Sequence, residues 1–201
     1  SNLILDILNK TKLQRLRLSS IDCVEVDENF NEVLKDQRVM PHLHLSIQSG
    51  DDMILKRMKR RHNSRDVFRF VDRCKKIRKD ISFGADIIAG FPTETDTMFE
   101  NTYKLLRDNE ISHLHIFPFS PKNNTPASRM PQISKSIIKK RAKILRDLGE
   151  LILKKVKSKL SLPREILIEE LNSGLAIGYD QNYIKHKVPL VGVPVGEVIR
   201  V

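Results

Sequence analysis

Short apolar runs rich in β-branched residues recur through the first 120 residues, and longer stretches with apolar positions every three or four residues lie between them. That alternation predicts repeated β–α units and a parallel sheet. The predicted strands cover residues 16–21, 42–47, 83–90 and 114–119. Helices are predicted over 4–10, 29–35, 52–60, 64–79 and 97–109. Ser64, followed by Val67, Phe70, Val71, Cys74 and Ile77, gives an N-cap and an apolar stripe, which places Cys74 in the core. Thr95 or Thr97 before Met98 marks a second capped start. A long helix is predicted from about 134 to 160, with Ile138, Leu145, Leu148, Ile152 and Val156 in its stripe and Pro163 ending it. Beyond Pro163 the texture changes to short apolar runs at 166–168, 176–179 and 188–201 around an Asn-Ser-Gly turn at 172–174, a small antiparallel β unit. The division predicted is therefore 1–162 and 163–201.

Composition narrows the class. Of 201 residues, 40% are apolar and 30% charged, with nine prolines and eight glycines, which fits a folded globular chain. No run of eighteen apolar residues and no signal-peptide layout is present, so a soluble, cytoplasmic protein without a membrane partner is expected. The opening Ser-Asn in place of an initiator Met reads as a cloning remnant on a fragment. Cys23 and Cys74 lie too far apart for a disulfide framework or a paired-cysteine metal site. The net charge of +11 raises the expectation of a polyanionic partner. It is concentrated: residues 56–79 hold twelve Lys/Arg against two acids, and residues 135–165 hold eleven against three. Clusters of this kind suit phosphate neutralisation, although two solvated helix faces would look the same.

Ligands in parallel β–α folds collect at the carboxyl ends of the strands, where this sequence turns polar. The first strand runs into Ser19-Ser20, the second into Gln48-Ser49-Gly50, the third carries Asp86 before Gly90-Phe91-Pro92-Thr93-Glu94, and the fourth ends at Phe117-Pro118-Phe119. Gln48 offers donors and an acceptor, and Asp86 offers acceptors suited to a vicinal diol. The pairs His42/His44 and His113/His115 each share one face of a strand, a pattern read as lumen packing rather than as a metal site. No nucleophile–base set stands out, so no catalytic residue and no metal ligand is predicted.

The segments RLRLSSID (15–22), HLHLSIQSGDDMILKRMKRRH (42–62), FGADIIAGFPTETDTMFENT (83–102) and HLHIFPFSPKNNTPASRMP (113–131) together resemble the radical S-adenosylmethionine methylthiotransferases. The last segment is similar to the branch that acts on threonylcarbamoyladenosine in tRNA, and GLAIGYDQNYIKHKVP (174–189) resembles the RNA-holding TRAM module. The resemblance implies an α/β fold, a partial (β/α) barrel of mostly parallel strands followed by a small antiparallel TRAM-like module. It implies S-adenosylmethionine and 4Fe–4S clusters as cofactors, with the cluster's Cys-x3-Cys-x2-Cys loop and the amino-terminal cluster-binding domain absent from this chain. Gln48, Asp86, Arg60, Ser20 and Phe117 are the implied cofactor contacts, Arg60 meeting the methionine carboxylate. Lys154, Lys155, Lys157, Tyr179, Tyr183 and Lys185 are the expected contacts to tRNA. Two readings follow: a piece of an enzyme that adds a methylthio group at carbon 2 of the modified adenosine next to the anticodon, or a non-catalytic RNA-binding module with a truncated barrel.

Overall fold

The computed structural model describes residues 1–160, 163–189 and 192–201. The elements run α1 (Asn2–Lys10), β1 (Leu16–Ile21), α2 (Phe30–Lys35), β2 (Val39–Gln48), α3 (Asp52–Arg57), α4 (Ser64–Ile77), β3 (Ser82–Ala89), α5 (Asp96–Asp108), β4 (Ile111–Pro118), α6 (Lys135–Lys159), β5 (Glu165–Asn172), β6 (Leu175–Tyr179), β7 (Lys185–Pro189) and β8 (Val198–Arg200). β1 to β4 form one sheet in sequence order with every pairing parallel. β7, β6, β5 and β8 form a second, antiparallel sheet. The predicted α/β class and its order of elements are thus observed. Leu162, where the predicted division falls, and Leu190 and Val191, inside the predicted 188–201 stretch, lie outside the described residues.

Differences from the sequence reading are local and have local causes. β2 starts at Val39 rather than at His42, because residues 39–41 pair only with β1 and the β3 ladder begins at His42 opposite Ser82. Pro41 therefore costs no bond on that side. α3 ends at Arg57 since Lys59 takes a left-handed φ of 57°. Asn63, not Ser64, caps α4, exchanging bonds with Asp66 in a capping box. β7 opens at Lys185, where Lys-His-Lys looked too polar to read as a strand.

One face of the parallel sheet carries Leu43, Leu45, Ile47, Phe83, Ala85 and Ile87, all buried beneath the helices together with Val67, Leu106 and Leu145. Arg78 closes the bottom of this layer, donating to the carbonyls of Leu34, Asp36 and Val39. α6 packs on β4 and β3 and is tied to the loop after β3 by Arg141, which donates to the Glu94 carboxylate and carbonyl and to Asp96.

The second sheet docks on the amino-terminal edge of the first through a loop between β6 and β7. Asp180 is fully buried there; its carboxylate accepts from Arg164, from His186 and from the backbone amides of Asn182 and Ile184. Asn182 reaches across to the carbonyls of Pro41 and Asp80, and Arg17 returns bonds to the carbonyls of Asp180 and Gln181. Removing the Asp180 carboxylate strands the Arg164 guanidinium in the interior. Asp180→Ala is expected to cost about 3–5 kcal/mol, measured by urea unfolding, whereas Asn172→Ala on the exposed turn should change stability by less than about 0.5 kcal/mol; equal effects would show that the loop is not the joint.

Candidate functional site

A parallel sheet is normally covered on both faces, and its strands then read as continuous apolar runs. Here His42, His44 and Ser46 of β2 share the helix-free face with Arg17 and Ser19 of β1, Asp86 of β3, and His113, His115 and Phe117 of β4, and Gln48 follows a register shift that sets it opposite Ile87. Gly84 makes room for this row: a Cβ there would stand 2.6 Å from His44 Nδ1 and 2.8 Å from the His113 carbonyl.

The lower half of the face is an imidazole layer. His42 and His113 meet edge to face with ring centres 4.6 Å apart, and Tyr183 lies between His42 at 5.4 Å and Tyr179 at 4.6 Å, roughly parallel to both. Arg17 sits over the Tyr183 ring at 5.0 Å. Burial pushes His42 down to about 2, with His113 and Arg17 adding to the shift, and burial pushes His113 down to about 4. Higher up, His44 Nε2 and His115 Nδ1 lie 3.0 and 3.2 Å from the same oxygen of Asp86, Oδ1. These groups, with Ser19, Ser20 and Tyr183, border a cavity of about 270 Å³.

At the carboxyl ends of the strands the backbone itself is unusual. Ser20, Gln48 and Thr93, at or just beyond the ends of β1, β2 and β3, have φ values of 57°, 68° and 69°. Three non-glycine residues in the left-handed region at neighbouring strand ends mark conformations held by their surroundings, the kind of strain that gathers at binding sites. Arg60 stands beside them, donating from Nη2 to the Ser46 carbonyl at 2.7 Å and to Asp22 at 3.3 Å, while its buried Nε has no partner among the described residues. With Ser20, Asp22, Ser46, Lys59 and Arg61 it lines a second cavity of about 260 Å³.

The structure thus gathers Ser20 and Arg60 at one cavity and places Gln48 at the end of the adjoining strand, its amide bonded only weakly, at 3.5 Å, to Ser46. Asp86 lies lower in the sheet than Gln48, whose partner in register is Ile87, and one of its oxygens is committed to two histidines. Phe117 is 52% exposed near the end of β4. Tyr183, expected to stack on a base, packs against Tyr179 and His42 and stays 38% exposed. Lys155 is paired with Glu110, whose carboxyl is held down at about 2 by Lys155 and Lys159. Lys154, Lys157 and Lys185 are exposed.

Sequence reasoning missed the Arg141–Glu94 pair, although a cation set within the buried stripe of 138, 142 and 145 was a readable sign of a buried partner. It also missed Arg17 and Ser46, which only the sheet register reveals.

A sequence profile of the radical SAM superfamily matches residues 4–106, just over half of the chain. The chain belongs to that superfamily. The threonylcarbamoyladenosine tRNA methylthiotransferase MtaB of Rickettsia prowazekii is 50% identical over 183 residues, covering 88% of this chain and 42% of the relative. The enzyme of the same name from Thermotoga maritima is 41% identical over 187 residues, 91% of this chain and 43% of its own length. The chain therefore spans about two fifths of these curated relatives. Among solved structures, the radical SAM enzyme HemN, the coproporphyrinogen III oxidase of Escherichia coli, aligns with a TM-score of 0.57 at 16% identity, over 74% of this chain and 36% of its own. That likeness concerns the fold.

The depressed histidines of the radical SAM sheet fix a pH dependence. Both are neutral when folded, so protonation favours the unfolded chain. Their contribution is intact above about pH 6.5 and falls with pH, down to about 4 for His113 and toward 2 for His42. A buried ring of this kind adds up to about 1.4 kcal/mol per pH unit to the slope. Urea unfolding between pH 6.5 and 4 is expected to show that loss, and a His42→Gln variant should show a flatter slope; an unchanged slope would place the proton uptake elsewhere.

Proposed function

We propose that this chain is the carboxyl-terminal part of a radical SAM methylthiotransferase that modifies threonylcarbamoyladenosine in tRNA, a cytoplasmic reaction. The reading is carried by the extent of the likeness to enzymes of that name. It is supported by the site, which lies at the strand ends and is built from groups that recognise a nucleoside and an amino acid.

In this reading Arg60 receives the carboxylate of S-adenosylmethionine. Its buried Nε has no partner among the described residues, and a guanidinium pairs with a carboxylate through two adjacent donors. Gln48 and the free Oδ2 of Asp86 take the ribose hydroxyls, Ser20 closes the β1 side, and Phe117 supplies an aromatic face for the adenine. His44 and His115 hold Asp86 in place, so they position a contact rather than make one. When bound with its cluster, S-adenosylmethionine supplies the radical chemistry and the methyl group. The 4Fe–4S cluster does not fit on these residues: Cys74 is fully buried in the core and Cys23 stands alone near the surface, against the three or four thiolates a cluster needs. Its ligands belong to the amino-terminal domains expected to accompany this chain, and the 201 residues alone should bind no cluster and transfer no methylthio group.

The TRAM-like reading of the second sheet and the RNA contacts belong to the same proposal. Lys154 and Lys157 on α6, with Lys185 on β7, are cations that make no ion pair among the described residues and could meet phosphate. Tyr179 and Tyr183, stacked on each other with Tyr183 exposed, are the aromatic faces a base would meet.

Two measurements test this on the full-length enzyme. Arg60→Ala is expected to raise the dissociation constant of S-adenosylmethionine at least tenfold, the loss of a charged hydrogen bond worth about 1.5–3 kcal/mol, and to lower methylthiolation of tRNA nucleosides seen by mass spectrometry. Unchanged affinity and activity would remove Arg60 from the site and favour the non-catalytic RNA-binding module. Lys154→Glu with Lys157→Glu should weaken tRNA binding and reduce the salt slope by about two; an unaltered slope would make α6 a solvated face.

A further inference from the structure

We propose that Asp22, Cys23 and His62 form a mononuclear site for a divalent transition-metal ion of borderline softness, with zinc as the fitting ion. Asp22 and Cys23 directly follow β1, and His62 lies in the turn between α3 and α4. One nitrogen, one sulfur and one carboxylate oxygen from these residues all lie within 4.8 Å of one another.

The case rests on the geometry around His62. Its side chain is 0% exposed. Nε2 lies 3.1 Å from the Ile47 carbonyl, an atom that can only accept, so Nε2 carries the ring proton. Nδ1 is the ring's remaining ligating atom. It is buried with no hydrogen-bond partner among the described residues, and it faces Asp22 Oδ1 at 3.5 Å. A cation placed between these two atoms is bound by both. A tetrahedral zinc with bonds near 2.0–2.2 Å to nitrogen and oxygen sets those two atoms about 3.3 Å apart, close to the spacing found.

The surroundings fit a metal site. The Nε2 bond to Ile47 is the outer-shell bond that fixes the tautomer and orients a ligating imidazole. Arg60 donates to the other carboxylate oxygen, Oδ2, and the Val24 amide donates to Oδ1, so the carboxylate is held in orientation. The nitrogen–sulfur–oxygen donor set favours zinc or cobalt over magnesium or calcium. Three protein ligands leave a fourth position for water. The His44–Asp86–His115 group makes no comparable demand, because both of its rings can donate to Asp86.

Titration of the metal-free 201-residue chain with cobalt(II) tests the proposal directly, since only a bound thiolate gives a sulfur-to-cobalt charge-transfer band and the chain has two cysteines, one of them in the core. The band is expected to saturate at one equivalent, to be displaced by zinc, and to vanish in Cys23→Ser. Asp22→Asn should weaken cobalt binding at least tenfold, and zinc should raise the melting temperature of the wild type and not of Cys23→Ser. A wild type that is folded by circular dichroism but gives no band overturns the proposal. So does a band that survives in Cys23→Ser, or a nitrogen NMR spectrum in which His62 carries protons on both nitrogens with zinc present.

Discussion

The parallel sheet has helices on one side only, and much of what distinguishes this molecule follows from that. Strands buried under helices on a single face need only every second residue to be apolar, which is why Leu43, Leu45 and Ile47 alternate with His42, His44 and Ser46. The polar set has nowhere to go except the opposite face. Once there, neighbouring strands bring like groups to one level, so imidazoles from β2 and β4 meet over Gly84 and Asp86. A site at the strand ends is the upper rim of this polar face, and the joint with the second sheet is its lower rim.

Most of the fold was legible because the two periods, two for strands and three to four for helices, are cleanly separated along the chain. The boundaries that slipped did so where one residue overrode the pattern, as Lys59 did by turning left-handed and Lys185 by being polar in an edge strand. The site was legible as residue types but not as geometry. Gln48 could be singled out from its place after a strand and Arg60 from the family resemblance; that Gln48 is left-handed, or that Arg60 Nε has no partner among the described residues, depends on contacts between segments distant in sequence. The mixed Asp22, Cys23 and His62 cluster was invisible for a related reason: a search for paired cysteines overlooks ligands drawn from two loops.

Charge was the most misleading signal. The two basic segments look like a continuous polyanion surface, yet Arg78, Arg141 and Arg164 are buried, and each serves the interior by binding carbonyls or a buried carboxylate. Lys75, Lys155 and Lys159 converge on Glu110. What remains for a partner is a smaller set of lysines and arginines than the net charge suggests, and their usefulness lies in where α6 carries them.

α6 is also a mechanical element. Its 25 residues extend about 37 Å without a proline. Near one end Arg141 grips the Glu94 loop beyond β3; near the other, Lys155 and Lys159 hold Glu110 and the chain passes on to the second sheet. A rod of that length acts as a lever: a tilt of about 3° at the far end displaces the near end by roughly 2 Å. The Glu94 loop and the Glu110 turn are therefore joined by one continuous helix, so a shift at either clamp is carried to the other.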